Sequence, residues 1–307
     1  MKRCPFFGKC GGCKYDFTAP DYHEQKIKEI TNAPLTDDAV WVAPGLRRRA
    51  DFCFAAGEFG FFERGTKNII PVRECPNLTP GLNSILPIIA DLPWCGAGAC
   101  LITECNNGID VSISANVPYF TPEFRDAIMK TPIIRATWND KTIKQTDVPQ
   151  ISFGEHVVEY PPNTFLQPSI AGADALRKMV TDAASGFNRI ADLFCGLGNF
   201  TFALNADGFD IVGTGAKRDL FKKPMTVGML NQYDCIVMDP PRAGAMAQCN
   251  EIIKSNVKRV IYVSCNPQTF VRDMKILERG GYRMTKLIPV DQFAGSQHWE
   301  LFGIFDK

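Results

Sequence analysis

The sequence predicts an α/β protein whose C-terminal half is a mostly parallel, doubly wound sheet, preceded by an α+β module and a cysteine-rich segment. From about residue 150, short apolar strands alternate with helical segments, as in parallel α/β folds. Before that point, strands are followed by strands and the helices stand apart. The first 36 residues hold three closely spaced cysteines. The predicted divisions are therefore 1–36, 37–150 and 151–307.

The composition is that of an ordinary globular protein of about two domains. The chain has 307 residues, 34 Lys and Arg against 33 Asp and Glu, and 45% hydrophobic residues. It has no apolar run of membrane-spanning length and no apolar core of a secretory signal, so we expect a cytoplasmic chain. The net charge of +1 gives no global sign of a nucleic-acid partner, although basic patches lie at 2–14 and 47–49.

The spacing of the 12 cysteines separates them into groups. Cys4, Cys10 and Cys13 form a C-x5-C-x2-C motif among glycines, and reduced cytosolic thiols rarely form disulfides. A metal centre or cluster is therefore favoured over an incidental tail, with Cys75 as the candidate fourth ligand. Spacing leaves zinc and an iron–sulfur cluster both open. The other cysteines except Cys265 are expected to be packing thiols.

The N-terminal half shows helix and hairpin signals. Residues 21–31 are predicted to form a short helix with Asp21 as its N-cap. The segment 39–74 alternates between apolar and polar residues and predicts a hairpin turned at Ala56–Gly57, after the basic run 47–49. The remaining predicted elements of this half are helices over 80–91 and 122–130 and paired strands over 99–104 and 109–114.

The C-terminal half begins with a hairpin at 151–160, two prolines and a helix over 169–184. The predicted strands that follow are RIADLF, FDIVG, YDCIVMD, KRVIYVS, YRMTKLIPV and WELFGIF, with helices from Phe200 and over 246–255 and 268–279. In such sheets ligands bind beyond the carboxyl ends of the strands. The loops after these strands are therefore the candidate functional site.

Three of these loops carry unusual residues. In DLFCGLGN, Gly196 and Gly198 allow the backbone to approach a nucleoside, although a G-x-G alone is a weak signal. In DPPR, the acid Asp239 and two prolines form a rigid lip that suits a planar polar ligand. In VSCNP, Cys265 precedes a helix, and a helix N-terminus lowers the pKa of a thiol. A buried packing thiol is the alternative for Cys265.

With FLQP around Gln167 and QHWE ending at Glu300, the chain resembles the S-adenosylmethionine-dependent RNA uracil-5 methyltransferases, particularly their iron–sulfur branch acting on 23S ribosomal RNA. The resemblance is carried by the cysteine triple, DLFCGLGNFTFAL, DPPRAGA, VSCNPQTFVRD and QHWE. It implies a Rossmann-like class I methyltransferase domain at 151–307 and a central RNA-binding module. It also implies S-adenosyl-L-methionine as methyl donor and a monomer without membrane attachment, with ribosomal RNA favoured over transfer RNA. The implied ligands of a [4Fe–4S] cluster are Cys4, Cys10, Cys13 and Cys75.

The chemistry of uracil methylation explains why a thiol and an acid are needed. Uracil C5 is a poor nucleophile, and a thiolate adding at C6 converts the ring into an enolate that can attack a methyl group. The resemblance implies that Cys265 is this nucleophile and that Glu300 is the base that removes the C5 proton. Such a base works best with its pKa raised toward neutrality. An exposed strand-end acid is the alternative for Glu300. The target base must leave its stack to reach the thiol.

The resemblance also implies two sets of binding residues. The implied contacts with the cofactor are Gln167, Asp192, Gly196, Gly198, Asp219 and Asp239. The implied contacts with the substrate are Phe165, Asn199, Asp239 and Arg242. A phenylalanine such as Phe165 is otherwise most often a core residue.

The sequence departs from the resemblance in two places. In related enzymes the second strand ends in an acid that binds the cofactor ribose, whereas here the strand is predicted to run into Ile211–Gly215 without a carboxylate. The third strand is predicted at 218–221, so the helix expected between the two strands is missing. Many relatives also carry a small β-barrel before the cysteines, which we expect this chain to lack. Three alternatives stay open: an inactive iron–sulfur RNA-binding relative, a transfer-RNA uracil-5 methyltransferase and a zinc-stabilised structural protein.

Overall fold

The computed structural model describes residues 3–30 and 33–307. Lys2 of the predicted basic patch and Thr31 at the end of the predicted first helix lie outside these residues. The chain divides into two compact units, each built from several segments. The first unit comprises residues 1–26, 43–170 and 293–297, and the second comprises residues 27–42, 171–292 and 298–307. The units therefore part near residue 170, after the hairpin and prolines that were predicted to open the last domain.

Strands mostly follow strands in the first half of the chain, and strands alternate with helices from residue 170 onward. In chain order the first elements are α1 (Tyr22–Ile27), β1 (Val40–Trp41), β2 (Arg49–Ala55), β3 (Glu58–Phe62), β4 (Ile69–Pro71), α2 (Pro80–Ala90), β5 (Ala97–Cys105), β6 (Gly108–Ala115), α3 (Pro122–Met129), β7 (Arg135–Trp138), β8 (Lys141–Gln145), β9 (Gln150–Phe153) and β10 (His156–Glu159). They are followed by α4 (Ile170–Ala184), β11 (Ile190–Leu193), α5 (Asn199–Leu204), β12 (Asp207–Asp210), β13 (Ala216–Lys217), α6 (Val227–Leu230), β14 (Cys235–Met238), α7 (Met246–Ile252), β15 (Arg259–Ser264), α8 (Pro267–Arg279), β16 (Arg283–Asp291) and β17 (Glu300–Asp306).

The first unit is built on a seven-stranded sheet in the order β4-β3-β2-β5-β6-β7-β8. The predicted turn at Ala56–Gly57 joins β2 to β3, with φ angles of 51° and 84° that suit a tight hairpin turn. Helices α2 and α3 contribute their apolar faces to the core of this unit. Each begins at a threonine whose hydroxyl accepts a backbone N–H bond, from Leu82 to Thr79 and from Phe124 to Thr121.

The second unit is built on an eight-stranded sheet in the order β1-β16-β17-β15-β14-β11-β12-β13. Strands β11 to β15 are parallel, and β17 is antiparallel to both β15 and β16. Apolar residues of α4 and α5 pack in one core cluster and those of α7 and α8 in another. The predicted alternating α/β architecture of this half is confirmed, with a mixed sheet.

The connection between β12 and β13 is unusually short. The two strands pair in parallel, with Asp210 beside Lys217, and only residues 211–215 join them. The prediction that no helix separates these strands is confirmed for this described segment. The third strand lies at Ala216–Lys217 and not at the predicted 218–221. The prediction that the second strand lacks a terminal acid is wrong, because the chain turns directly after Asp210.

A strand from the N-terminal part of the chain completes the second unit. The segment 39–74 was predicted to belong to one module, but β1 pairs in parallel with β16 at the edge of the second sheet. Trp41 contacts Trp299 edge to face, with ring centroids 5.1 Å apart. This contact lies directly beside the first residue of β17. No described helix has the length and apolar character needed to cross a membrane.

Candidate functional site

The direction of the strands brings three polar side chains to one edge of the second sheet. Strands β14 and β15 are parallel, and β17 runs antiparallel to β15 with Ser264 opposite Leu301. A strand of opposite direction begins at the edge where its neighbours end. Asp239 directly follows β14, Cys265 directly follows β15, and Glu300 is the first residue of β17. The three side chains predicted to act on the base therefore belong to one site.

Glu300 is the most buried of these groups, with 1% of its surface exposed. Its Oε1 accepts a hydrogen bond of 3.3 Å from Nε2 of Gln292. Its Oε2 is buried and has no hydrogen-bond partner among the described residues. Burial, followed by the charge of Asp239, raises the pKa of Glu300 well above its usual value, while Arg242 opposes this shift. The alternative of an exposed strand-end acid is thereby excluded.

Cys265 lies between β15 and the first turn of α8. Burial raises the pKa of its thiol to about 12, the acids Glu300 and Asp239 add to this rise, and Arg242 opposes it. The prediction that the helix N-terminus lowers this pKa is therefore wrong for the site as it stands. The dehydration of the thiol and the two nearby acids outweigh the effect of the helix. Without a ligand, Cys265 is a protonated thiol at neutral pH.

The loop that carries Arg242 is held by the start of α8. The backbone carbonyl of Arg242 accepts hydrogen bonds from Nδ2 of Asn266, at 3.0 Å, and from Oγ1 of Thr269, at 3.2 Å. The guanidinium lies 3.3 Å from Nε2 of His298. His298 and Gln292 were not singled out from the sequence. The available signal was their position: Gln292 directly follows β16, and His298 is part of the QHWE motif.

The glycine turn after β11 surrounds a second buried carboxylate, Asp192. Its Oδ2 accepts a hydrogen bond of 2.6 Å from the hydroxyl of Thr201, and its Oδ1 is buried without a partner in the described part of the chain. Burial raises the pKa of Asp192 to about 7. Gly196 has a φ of 52°, and a Cβ added there would meet no atom within 4 Å. The turn therefore presents open backbone where the sequence predicted a nucleoside contact. Gly198 has a φ of 95° and begins α5.

Asp210, at the end of β12, holds this turn in place. Its Oδ2 accepts a bond of 2.9 Å from the N–H of Gly196. Its Oδ1 accepts bonds from the N–H groups of Ile211, at 2.6 Å, and Val212, at 3.2 Å. The carboxylate is thus bound to both the glycine turn and the short connection, and it is the acid that the sequence analysis missed.

Two other predicted binding residues make local contacts. Oδ1 of Asp219 accepts bonds from the N–H groups of Phe221, at 3.1 Å, and Lys222, at 3.2 Å, which together with the Lys222 ammonium lower the pKa of Asp219. Oδ1 of Asn199 accepts a bond of 3.3 Å from Arg177. Neither contact excludes a further ligand, because Asp219 has a second carboxylate oxygen and the Asn199 oxygen has a second lone pair.

Phe165 and Gln167 belong to the first unit. Phe165 is 62% exposed and lies under the guanidinium of Arg49, 5.7 Å from its ring centroid, so the alternative of a core residue is excluded. The backbone carbonyl of Gln167 accepts a bond of 3.3 Å from Nε of Arg48. Arg48 is buried, and Nε of Arg47 donates to the carbonyl of Arg49. Within the basic run 47–49, Arg48 is thus buried and Arg47 and Arg49 are half-buried, and an RNA contact by this run stays a prediction.

The four predicted cluster cysteines also lie in the first unit, and all are half-buried free thiols. Burial raises the pKa of Cys13 to about 12, and the nearby Cys75, Cys10 and Cys4 thiols contribute to this rise in that order. The pKa of Cys75 is raised to about 11 by burial and by Cys4 and Cys10. The four thiols are therefore close enough to influence one another. Within residues 3–30 and 33–307, no group of three or more His, Cys, Asp or Glu side chains is arranged to hold a metal ion.

Backbone hydrogen bonds hold the loops that carry these thiols. The N–H of Cys10 donates to Phe6, at 2.9 Å, and the N–H of Gly11 donates to Phe62 of β3, at 2.9 Å. The N–H of Cys75 donates to the side chain of Asn83 in α2, at 2.9 Å. The cysteines predicted to be packing thiols are buried except for Cys95, which is half-buried.

Comparison with known proteins identifies the family. A family model described as tRNA (Uracil-5-)-methyltransferase matches residues 215–307. An uncharacterized RNA methyltransferase of Agrobacterium fabrum is 33% identical, over 98% of this chain and 83% of its own length. The chain belongs to the RNA methyltransferases. It is an enzyme of that class.

A further relative of this methyltransferase and a solved structure of similar fold differ in their named substrates. The 23S rRNA (uracil(1939)-C(5))-methyltransferase RlmD of Salmonella paratyphi A is 28% identical, over 99% of this chain and 81% of its own length. The crystal structure of the Pyrococcus abyssi tRNA (uracil-54, C5)-methyltransferase in complex with S-adenosyl-L-homocysteine has a TM-score of 0.75 and 20% identity, covering 98% of this chain and 86% of that chain. The second likeness confirms the methyltransferase fold.

The buried Asp192 leads to a prediction about the pH dependence of stability. Its pKa is about 7 in the folded protein against an ordinary 3.8, so the folded state favours the protonated form and loses stability as the pH rises through this interval. Between pH 5 and pH 8 we expect Asp192 to reduce the free energy of unfolding by about 3 kcal/mol. Urea unfolding at both pH values should show that Asp192→Asn no longer loses this part of the free energy of unfolding as the pH rises.

The exposed Asp38→Asn variant is the matched control and should keep the pH dependence of the unmodified protein. An Asp192→Asn variant whose stability falls with pH as steeply as that of the control would contradict the role of this carboxyl.

Proposed function

We propose that this enzyme transfers a methyl group from S-adenosyl-L-methionine to C5 of a uridine in 23S ribosomal RNA, through a covalent bond between Cys265 and C6. The observation that supports this most directly is the placement of Cys265, Asp239 and Glu300 at one edge of the second sheet, where each acid raises the pKa of the thiol. The RlmD relative supports ribosomal RNA, and the fold of the Pyrococcus transfer-RNA enzyme keeps transfer RNA as the second candidate. The proposed place of action is the cytoplasm.

The residues of the glycine turn fit a bound S-adenosylmethionine. The orphaned Oδ1 of Asp192 is an acceptor without a donor, and the open backbone at Gly196 leaves room for a nucleoside. Asp210 ends the second strand, where a ribose is bound in this fold, and Asp239 lies at the edge of the same sheet. When bound, the cofactor supplies an electrophilic methyl group on a sulfonium. The remaining proposed cofactor contacts are Gly198, Gln167 and Asp219.

The proposed reaction assigns one step to each side chain. The Cys265 thiol gives its proton to solvent water and the thiolate adds to C6, which makes C5 nucleophilic. After C5 has taken the methyl group, Glu300 removes the C5 proton and the C6–S bond breaks, which restores the C5–C6 double bond. Asp239 binds the polar edge of the base, and Arg242 holds the loop and lowers the pKa of both Cys265 and Glu300. Phe165 and Asn199 are proposed to contact the flipped nucleotide.

Replacing the nucleophile tests the covalent step. We expect Cys265→Ala to abolish both methyl transfer and denaturation-resistant capture of RNA, because no other group is proposed to add to C6. Methyl transfer is measured with a radiolabelled methyl donor and capture by denaturing electrophoresis. Cys95→Ala, which changes a half-buried thiol of the first unit, should leave both unchanged. Full activity of Cys265→Ala would overturn the mechanism.

Replacing the base tests the order of the steps. Glu300→Gln preserves the shape of the side chain but cannot accept the C5 proton, so the methylated RNA should accumulate as a covalent adduct and turnover should fall by roughly 10²- to 10⁴-fold. Denaturing electrophoresis and turnover assays measure these two effects. The exposed Glu278→Gln should behave like the unmodified enzyme. Rapid turnover without adduct in Glu300→Gln would show that another group removes the proton.

We further propose that Cys4, Cys10, Cys13 and Cys75 hold a [4Fe–4S] cluster. The support is the chemistry of the donor set: four half-buried thiols, of which Cys75, Cys10 and Cys4 all raise the pKa of Cys13. Zinc stays the alternative, because four thiolates suit either centre. The proposed role is structural, since no step of the reaction requires an electron.

Anaerobic purification tests the cluster independently of activity. We expect a brown protein that contains iron and sulfide, and we expect Cys13→Ala to lose most of both because one of four ligands is removed. Cys95→Ala should retain them. A colourless protein that contains zinc would overturn the cluster proposal.

The main rival is an RNA-binding relative that has lost methyl transfer. The apparent lack of a ribose-binding acid was its main support, and Asp210 removes this support. Calorimetric titration with S-adenosylmethionine separates the two, because a protein without binding at millimolar ligand is not a methyltransferase. Mapping of 5-methyluridine in ribosomal and transfer RNA, with and without the protein, identifies the substrate RNA.

A further inference from the structure

The carboxyl group of Glu300 has two oxygens in different surroundings. Oε1 accepts the bond from Nε2 of Gln292, whereas Oε2 is buried and has no donor among the residues that the structure describes. A buried acceptor without a donor is costly, so such atoms need an explanation. Glu300 lies beside Cys265, which supplies an explanation: Oε2 accepts a proton during the reaction.

Gln292 is well placed to fix this difference between the oxygens. It directly follows β16, it is 4% exposed, and the neighbouring pair Val290 and Glu300 joins β16 to β17. Its side chain therefore reaches Glu300 across two adjacent paired strands. An amide N–H only donates, so it binds an ionised carboxylate more strongly than a neutral carboxyl. Gln292 therefore favours the form of Glu300 that can act as a base.

We propose that Gln292 is a positioning residue that occupies Oε1 of Glu300, so that Oε2 is the oxygen that receives the C5 proton. This inference rests on the proposed function. In this step the C5–H bond breaks and its proton moves to Oε2. The electron pair restores the C5–C6 double bond as the C6–S bond breaks, and the sulfur leaves as the thiolate of Cys265. No further reactant is required.

The other groups around Glu300 act on its charge and do not distinguish its two oxygens in this way. Asp239, after β14, raises its pKa, and Arg242, on the same loop, lowers it. Cys265, after β15, is neutral until it loses its proton, and His298 lies against Arg242. Loss of the Gln292 donor should therefore raise the pH at which Glu300 ionises and can act as a base. The four other groups stay unchanged in such a variant.

Two substitutions of Gln292 test the proposal on the full chain with its RNA. Gln292→Glu keeps the shape but replaces the donor by a second carboxyl, and Gln292→Met removes the donor. Each should form the covalent adduct at a nearly normal rate but resolve it about tenfold more slowly, as part of the 10²- to 10⁴-fold effect of a general base. The midpoint of resolution against pH should move upward. The exposed Gln232→Met should match the unmodified enzyme.

The outcomes distinguish failure of the positioning role of Gln292 from failure of the proposed mechanism. A slower reaction with an unchanged pH midpoint in both Gln292 variants would overturn the positioning role, because a structural defect alone would produce it. An unmodified enzyme that methylates RNA without any adduct would overturn the proposed mechanism and this inference with it. An upward shift in Gln292→Met supports the role, because this variant removes the donor without adding a charge. An unchanged midpoint in Gln292→Glu contradicts the role even where Gln292→Met fails to fold.

Discussion

The candidate site depends on the antiparallel course of β17 between β15 and β16. A parallel strand would place its last residue at the site edge, whereas β17 places its first, so Glu300 begins the strand beside the end of β15. A shift of register by one residue would turn this acid to the other face of the sheet. The pairs Ser264 with Leu301 and Val290 with Glu300 therefore fix both the thiol and its neighbouring acid. They also bring Gln292 next to the same carboxyl.

This arrangement brings Asp239 and Glu300 close to the Cys265 thiol, so their charges affect which of these groups are protonated. Glu300 and Asp239 both raise the pKa of Cys265, and Asp239 also raises that of Glu300. Arg242 is the cation that opposes these effects. Each of these negative charges therefore disfavours the ionised form of its neighbour. In the proposed reaction, the positive charge of the methyl donor would favour the thiolate, and its loss on transfer would favour proton uptake by Glu300.

Local sequence signals predicted much of the fold, because hairpins, helix starts and strand-end loops depend on neighbouring residues. Ala56–Gly57 and the loops holding Asp239 and Cys265 are examples. Features set by distant pairing were missed. β1 is only two residues long and is defined by its partner β16. The apolar Ile211 and Val212 indicated a longer strand, but the connection to β13 bends there. The contact of Gln292 with Glu300 depends on the pairing of β16 with β17, so local sequence did not reveal it.

The short connection after β12 is compatible with a working cofactor site. In a longer crossover a helix would hold the end of the second strand, and here Asp210 does so through three backbone N–H bonds. The N–H of Thr214 adds a bond of 3.2 Å to the carbonyl of Gly196. A carboxylate offers about four acceptor positions, so one on Oδ2 remains for a ribose hydroxyl. A short connection can thus keep Asp210 at the end of β12, because the glycine turn and the strand end are bonded to each other directly.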